Sequence, residues 1–204
     1  MTRTALPGIL AMAAIVVASN ILVQFLLGNW LTWGALTYPL AFLVTDLMNR
    51  IHGPGPARQV IAAGFVTGVF CSLVAAQFDA TTMRIALGSG IAFLAAQMTD
   101  VAVFNLLRRG PWWRAPLVST LVGATLDTAL FFSIAFAAAL NTVEPAAAPV
   151  WAQEGVPFLG AGAVVPLWVS LAVADWGVKI ALAALALIPF RALVIRALGP
   201  EAAR

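Results

Sequence analysis

Apolar residues run through this chain in six long stretches, at about 6–27, 31–49, 59–78, 84–107, 116–140 and 164–190. Each comes close to or exceeds the roughly 20 mostly apolar residues that a helix needs to cross a bilayer. Short turn-rich connections lie between them, among them His52-Gly53-Pro54-Gly55-Pro56 and Arg108-Arg109-Gly110-Pro111-Trp112-Trp113-Arg114. The exception is 141–163, a longer loop with Pro145, Pro149 and Pro157, expected to rest on the membrane interface through Trp151. The pattern predicts an all-α membrane protein: six transmembrane helices forming one integral membrane domain over residues 1–204. It leaves no room for a soluble domain. The first run is too long for the apolar part of a signal peptide, typically 7–15 residues, so it reads as a retained span.

Composition agrees with a lipid-facing surface. Charged residues are 9% of the chain and apolar ones 62%, with mean hydropathy +0.99, whereas soluble domains carry about 25% charged residues. The arginines fix an expected orientation. With six spans, Arg3, Arg50, Arg58, Arg108, Arg109, Arg114, Arg191, Arg196 and Arg204 all fall on one side. The opposite loops hold Asp79, Glu144 and Glu154, with Arg84 at their border. The positive-inside bias then places both termini in the cytoplasm. Because the basic residues are sorted by membrane side, the net charge of +3 gives no reason to expect nucleic acid as a partner. The single cysteine, Cys71, excludes an intrachain disulfide.

Candidate chemistry lies where lipid should reject it. Asp46, Asp100, Asp127, Asp175 and Lys179 fall inside predicted spans, beside Asn20, Gln24 and Gln97. A charge at the centre of a span costs about 2.5–3.5 kcal/mol on insertion scales, so such residues face one another or a watery cavity. Helical phase brings them to one face per span. The stripes are Val16-Asn20-Gln24; Tyr38, Phe42, Thr45, Asp46 and Asn49; Phe93-Gln97-Asp100-Phe104; Thr120-Gly123-Asp127-Phe131; and Trp168-Ala172-Asp175-Lys179. Polar groups between aromatics are the lining of an oriented small-molecule site. At about 1.5 Å per residue, Asp46 and Asp100 lie roughly 6–10 Å below the cytoplasmic border. Tyr38, Gln97, Asp127 and Lys179 fall near the midplane, where transporters place substrate, with Asn20 and Asp175 somewhat beyond.

Each residue also has a structural reading. Asp46 precedes Arg50, and Asp175 precedes Lys179, by the four positions of a helix ion pair. Asp100 could pair with Arg108 or Arg114, while Asn20, Gln24 and Gln97 could join helices by hydrogen bonds. Gly64 and Gly68 read as a packing face. Pro39 deprives the Ala35 carbonyl of its helical donor, so the second span should kink or unwind. No metal-ligand cluster, phosphate-binding loop or nucleophile elbow occurs, so neither a metal nor a cofactor is expected. An intramembrane enzyme acting on a lipid-like substrate stays open as an alternative.

Three segments carry a resemblance. Gly34–Arg58 reads GALTYPLAFLVTDLMNRIHGPGPAR, and Gln97–Phe136 reads QMTDVAVFNLLRRGPWWRAPLVSTLVGATLDTALFFSIAF. With Val173–Pro189 they cover just over 80 of the 204 residues. They resemble the queuosine precursor transporters, also called vitamin uptake transporters, except that Trp176 stands where that family often has Tyr. The first span matches only in type, and the 141–163 loop does not align. The resemblance implies import of 7-cyano- or 7-aminomethyl-7-deazaguanine across the bacterial inner membrane, for queuosine modification of tRNA. It also implies a fold similar to the substrate-binding subunits of energy-coupling-factor transporters, which leaves such a subunit, with separate ATPase partners, as a second alternative. A homodimer is left open.

The residues suit such a base. A carboxylate accepts its N1–H and 2-amino donors in a bidentate pair, while Lys179, Gln97 or Asn20 could donate to its O6. Tyr38, Phe93, Phe131, Trp168 and Trp176 could stack on the ring. Asp127 and Gln97 are expected to contact the base, with Asp175 and Lys179 as the opposite wall. Four aspartates against one lysine would leave a charge of −3 in the spans if all ionised. One at least should therefore hold a proton or meet a cation. The coupling candidates are Asp46 and Asp100, nearer the cytoplasm, which would make the protein a proton-linked carrier. Sodium coupling and facilitated diffusion remain alternatives.

Overall fold

The computed structural model describes residues 3–203; Arg204, counted above among the cytoplasmic arginines, lies outside them. Helix α1 (Leu6–Leu22) begins with Pro7 in its first turn, where a missing N–H costs nothing. It stops five residues short of the expected span. Gly28 adopts φ +68° and closes a hairpin of β1 (Leu26–Leu27) on β2 (Leu31–Thr32), which leaves Gln24 exposed beyond the helix.

The second apolar stretch is broken at its proline. Helix α2 (Gly34–Thr37) leads through Tyr38 and Pro39 into α3 (Leu40–His52). The backbone dihedrals stay helical across the junction. The hydrogen bonds do not: the Ala41 and Phe42 N–H groups reach back only three residues, to Tyr38 and Pro39. Neither piece alone is long enough to cross a membrane. Gly53, at φ +85°, ends α3 in a conformation glycine adopts without strain. Helix α4 (Pro54–Ala76) follows at once, starting earlier than the pattern predicted because Pro54 and Pro56 are tolerated in a first turn.

Helix α5 (Met83–Leu107) is capped by the Thr82 hydroxyl, which accepts from the Ile85 N–H at 3.3 Å. Helix α6 (Arg114–Phe136) lies against α5 in the most extensive helix contact of the fold. The long loop is ordered into short turns, α7 (Val150–Gln153), and a hairpin of β3 (Gly155–Pro157) with β4 (Val164–Pro166). Trp151 is half exposed there, its ring 5.7 Å from that of Phe136. The expected last span therefore begins three residues later, in α8 (Leu167–Leu198), and runs well past residue 190. At about 1.5 Å per residue its 32 residues exceed a roughly 30 Å hydrocarbon core, so its Arg-bearing end projects beyond it.

Among the described residues, five helices are long and apolar enough to cross a membrane: Arg3–Leu22, Pro54–Ala76, Met83–Leu107, Arg114–Phe136 and Leu167–Leu198. Their outer faces expose Leu10, Ile21, Val66, Phe70, Leu73, Leu185 and Ile188, which water would not tolerate in such density. This is a multi-pass membrane protein. Helix α3 is its hub and touches α1, α4, α5, α6 and α8. Close packing between the helices relies on glycines. A Cβ on Gly123 would lie 2.7 Å from Phe42 Cε1, and one on Gly64 2.6 Å from Met12 Cγ. Gly64 is thus the packing position of its pair, while Gly68 has only Val16 nearby, at 3.7 Å.

Candidate functional site

The polar residues of the spans gather into two clusters on either side of the Pro39 break. The first joins α6 and α8. Lys179 Nζ lies 2.7 Å from Asp127 Oδ2 and 2.5 Å from Asp175 Oδ2. It also donates to the Thr128 hydroxyl at 3.1 Å, and that hydroxyl donates to Asp175 at 2.9 Å. Tyr38 donates to the other Asp127 oxygen at 3.4 Å, with its ring centroid 5.6 Å from the ammonium. A buried lysine needs such a cage, because an ammonium taken out of water without paired charge is prohibitively costly. Access is unequal: the Asp175 side chain is 16% exposed against 5% for Asp127 and Lys179. Asp175 is the most exposed member of the cage.

The second cluster lies on α3, α5 and α6. Asp46 accepts from Ser119 at 3.3 Å and Thr120 at 3.1 Å, and its carboxyl neighbours that of Asp100. Thr45 donates to Gln97 Oε1 at 2.6 Å, and one turn on Asn49 donates to the Val101 carbonyl at 3.3 Å. Asp46, Asp100, Asn49 and Gln97 are all buried.

The helix-pair reading of Asp46 does not hold, because Arg50 donates instead to the carbonyls of Arg108 (2.8 Å) and Ala202 (2.7 Å). Asp100 meets neither Arg108 nor Arg114; Arg108 donates to Asn105. Asp175 does pair with Lys179, but the flexible lysine stem carries the ammonium on to Asp127 as well. The two groups expected on opposite walls therefore share one wall in this conformation.

Other candidates sit apart. Gln97 belongs with Asp46 and Asp100 rather than with the lysine. Asn20 donates to the Val16 carbonyl at 2.9 Å and lines a cleft with Tyr38, Phe93, Ser89 and Gly64. Phe131 and Trp168 pack one to three turns away in the cluster of Phe132, Ala135 and Phe136. Trp176 turns to the outer face and donates to Thr125 at 3.0 Å. The cleft by Tyr38 has a cavity volume of about 30 Å³, far below the roughly 300–1,000 Å³ of pockets that hold drug-sized ligands. As it stands, the cleft has no room for a ligand of that size.

Three participants were not foreseen from the sequence. Thr128 links Lys179 to Asp175, and its only signal was its place directly after Asp127. Ser119 stands one residue before the Thr120 stripe. Arg84, noted only as a border charge, is 2% exposed and donates to the carbonyls of Ile134 and Ala137 and to Asn141 Oδ1. It caps α6 from the neighbouring helix.

Residues 32–194 match the family described as "Putative vitamin uptake transporter". The chain is 40% identical over 141 residues to the "Queuosine precursor transporter" of Escherichia coli strain K12, covering 60% of this chain and 64% of that one. It is 39% identical over 140 residues to the "Probable queuosine precursor transporter" of Haemophilus influenzae, covering 61% and 58%. A Bacillus subtilis strain 168 protein of the latter name is 30% identical over 134 residues, covering 54% and 58%. The matched region thus spans about 58–64% of the length of these relatives. No solved structure matches the chain.

Proposed function

Because the chain belongs to the vitamin uptake transporter family, we propose that it imports queuosine precursors, 7-cyano- or 7-aminomethyl-7-deazaguanine, across a bacterial inner membrane. The observation that carries this reading is the buried Lys179–Asp127–Asp175 cage beside Tyr38, where the second apolar stretch is broken. A cage of two carboxylates and one ammonium offers both acceptors and a donor to the polar edge of a deazaguanine. Asp175, the most accessible carboxylate, takes the N1–H and 2-amino pair, and Lys179 swings from it to the O6. Tyr38 and Phe93, whose centroids are 6.2 Å apart, line the cleft that would widen around the ring. Broken helices near the midplane supply transporters with such sites.

In this reading α2 and α3 together make the sixth crossing, with both termini in the cytoplasm. Asp46 and Asp100, on the cytoplasmic side of the cage, carry the coupling proton. The test is restoration of queuosine in the tRNA of a bacterium that can neither make nor import the precursor. Rescue by this chain alone, in a host without energy-coupling ATPases, supports a self-sufficient importer. No rescue, with turnover of a lipid-like substrate by the purified protein, would replace this reading with an enzyme. In proteoliposomes, an inward proton gradient should drive accumulation; accumulation driven by sodium alone would refute proton coupling.

A further inference from the structure

Four buried side-chain atoms have no hydrogen-bond partner among the described residues: Asn49 Oδ1, Gln97 Nε2, Asp100 Oδ1 and Asp100 Oδ2. Buried polar atoms are rarely left so, and an unpaired one signals a water or ion that belongs there. These four lie on a single seam. Thr45–Gln97 and Asn49–Val101 are successive rungs between α3 and α5, one turn apart on each helix, and Asp46 and Asp100 lie within the same turn.

We infer that this seam is a proton-binding site, in which Asp46 and Asp100 share one proton and bound water joins them to Gln97 and Asn49, rather than a site for a bare metal cation. The inference rests on the proposed import only for what the proton does. Its own support is the kind of atoms left unpaired. Three are acceptors and one, the Gln97 amide nitrogen, is a donor. Water answers both kinds, whereas a cation is repelled by the donor. Turning the Gln97 amide over would make all four acceptors, a set that sodium favours. The Thr45–Gln97 contact argues against that: at 2.6 Å it has the length of an O–H···O bond and is short for one to nitrogen. On the α6 and α8 side of Asp46, a cavity of about 10 Å³ lined also by Pro116, Thr120, Ala183 and Phe190 is at the roughly 10–15 Å³ threshold for a water; it reaches Asp46 but not Asn49, Gln97 or Asp100.

Among the described residues, no cation forms an ion pair with Asp46 or Asp100. From α3, Arg50 points away to the Arg108 and Ala202 carbonyls; from α5, Arg108 is turned to Asn105. Helix α6 offers hydroxyls, and both donate to Asp46. On α8, Lys179 is held by Asp127 and Asp175, and Arg191 stacks over Trp112. His52 and Arg58 are exposed, and α1 brings no charge to the seam. Two adjacent carboxylates without a cation can approach only if one is an acid donating to the other. Binding makes one O–H bond and changes the pair from −2 to −1; release to the cytoplasmic side reverses it.

The test is infrared difference spectroscopy on the full-length protein in lipid nanodiscs. A protonated-carboxyl C=O band that shifts in D₂O is expected in the unsubstituted protein and needs no variant to detect. It should vanish in Asp100→Asn, where Asp46 keeps the Ser119 and Thr120 hydroxyls, and persist in Asp175→Asn. Replacing choline chloride with sodium chloride should leave it unchanged. Absence of the band, its survival in Asp100→Asn or its loss with sodium overturns the inference. If the band behaves as expected but no precursor is taken up, the import reading fails and the proton site stands.

Discussion

Replacing Lys179 with Met should destabilise the protein more than replacing either carboxylate that it holds. Lys179 is 4% exposed, and its Nζ lies 2.7 Å and 2.5 Å from two carboxylate oxygens. Methionine keeps the stem's volume and removes the charge, so the loss is electrostatic rather than a cavity. Two buried carboxylates then face each other with only Thr128 and Tyr38 as donors. Breaking a buried pair by deleting one partner costs about 3–5 kcal/mol. Like charges some 4 Å apart repel by about 4 kcal/mol at an effective dielectric constant near 20, which agrees. Asp127→Asn, in contrast, leaves Lys179 paired one to one with Asp175 and keeps an acceptor for Tyr38, for a cost of about 1–3 kcal/mol. At roughly 2–4 °C per kcal/mol for a chain of this size, Lys179→Met should melt about 6–20 °C lower than the parent. Thermal unfolding in nanodiscs, followed by intrinsic tryptophan fluorescence, reads the difference. If Lys179→Met melts with the parent, or above Asp127→Asn, the lysine is not neutralising the cage and the electrostatic argument is wrong.

Asp127→Asn should insert normally yet lose roughly ten- to hundredfold in precursor uptake, because Lys179, without its charge-assisted bond to Asp127, stays on Asp175 instead of freeing it for the base; unchanged uptake with labelled precursor would remove Asp127 from the site. Arg84→Met strips donors from Ile134, Ala137 and Asn141 together and should cost about 2–4 kcal/mol in thermal unfolding; a melting point equal to the parent's would mean that water caps α6 equally well. A reporter fused after Arg204 should be active only in the cytoplasm; periplasmic activity would contradict a crossing by α2 and α3 together.

The sequence made the seam between α3 and α5 legible because both faces follow a strict helical phase. Thr45, Asp46 and Asn49 on one helix, and Gln97 and Asp100 on the other, could each be placed on an inward stripe by spacing alone. Pairing between helices was beyond reach, since phase says which way a residue points and not which neighbour it meets. Asp127 had no basic residue within a turn, and its partner is 52 positions away. The helix ends were misplaced where lipid-like composition outlasts helical geometry. Leu26 and Leu27 are as apolar as the span before them but turn at Gly28, and Val164–Pro166 forms a strand although hydropathy runs straight through it.

The Pro39 break gives the two clusters a physical connection. Tyr38 and Asp46 belong to the same stretch but to different hydrogen-bonded segments, because the junction bonds reach back only three residues and Pro39 donates none. Movement of α2 against α3 therefore costs little backbone hydrogen bonding, whereas bending α1, α4 or α5 would break a continuous ladder; among the long helices α8 is itself interrupted, at Pro189. The weakest contact of the cage is at that hinge: the Tyr38 hydroxyl lies 3.4 Å from Asp127, beyond the usual range for an O–H···O bond, while the lysine contacts are short. Opening the narrow cleft should begin there, with Tyr38 leaving Asp127 while Lys179 still holds both carboxylates. A proton added at Asp46 and Asp100 changes the charge on α3, the helix that touches all five long ones. If that proton shifts α3, the proposed proton site would influence Tyr38 through the Pro39 junction without any direct contact with the cage.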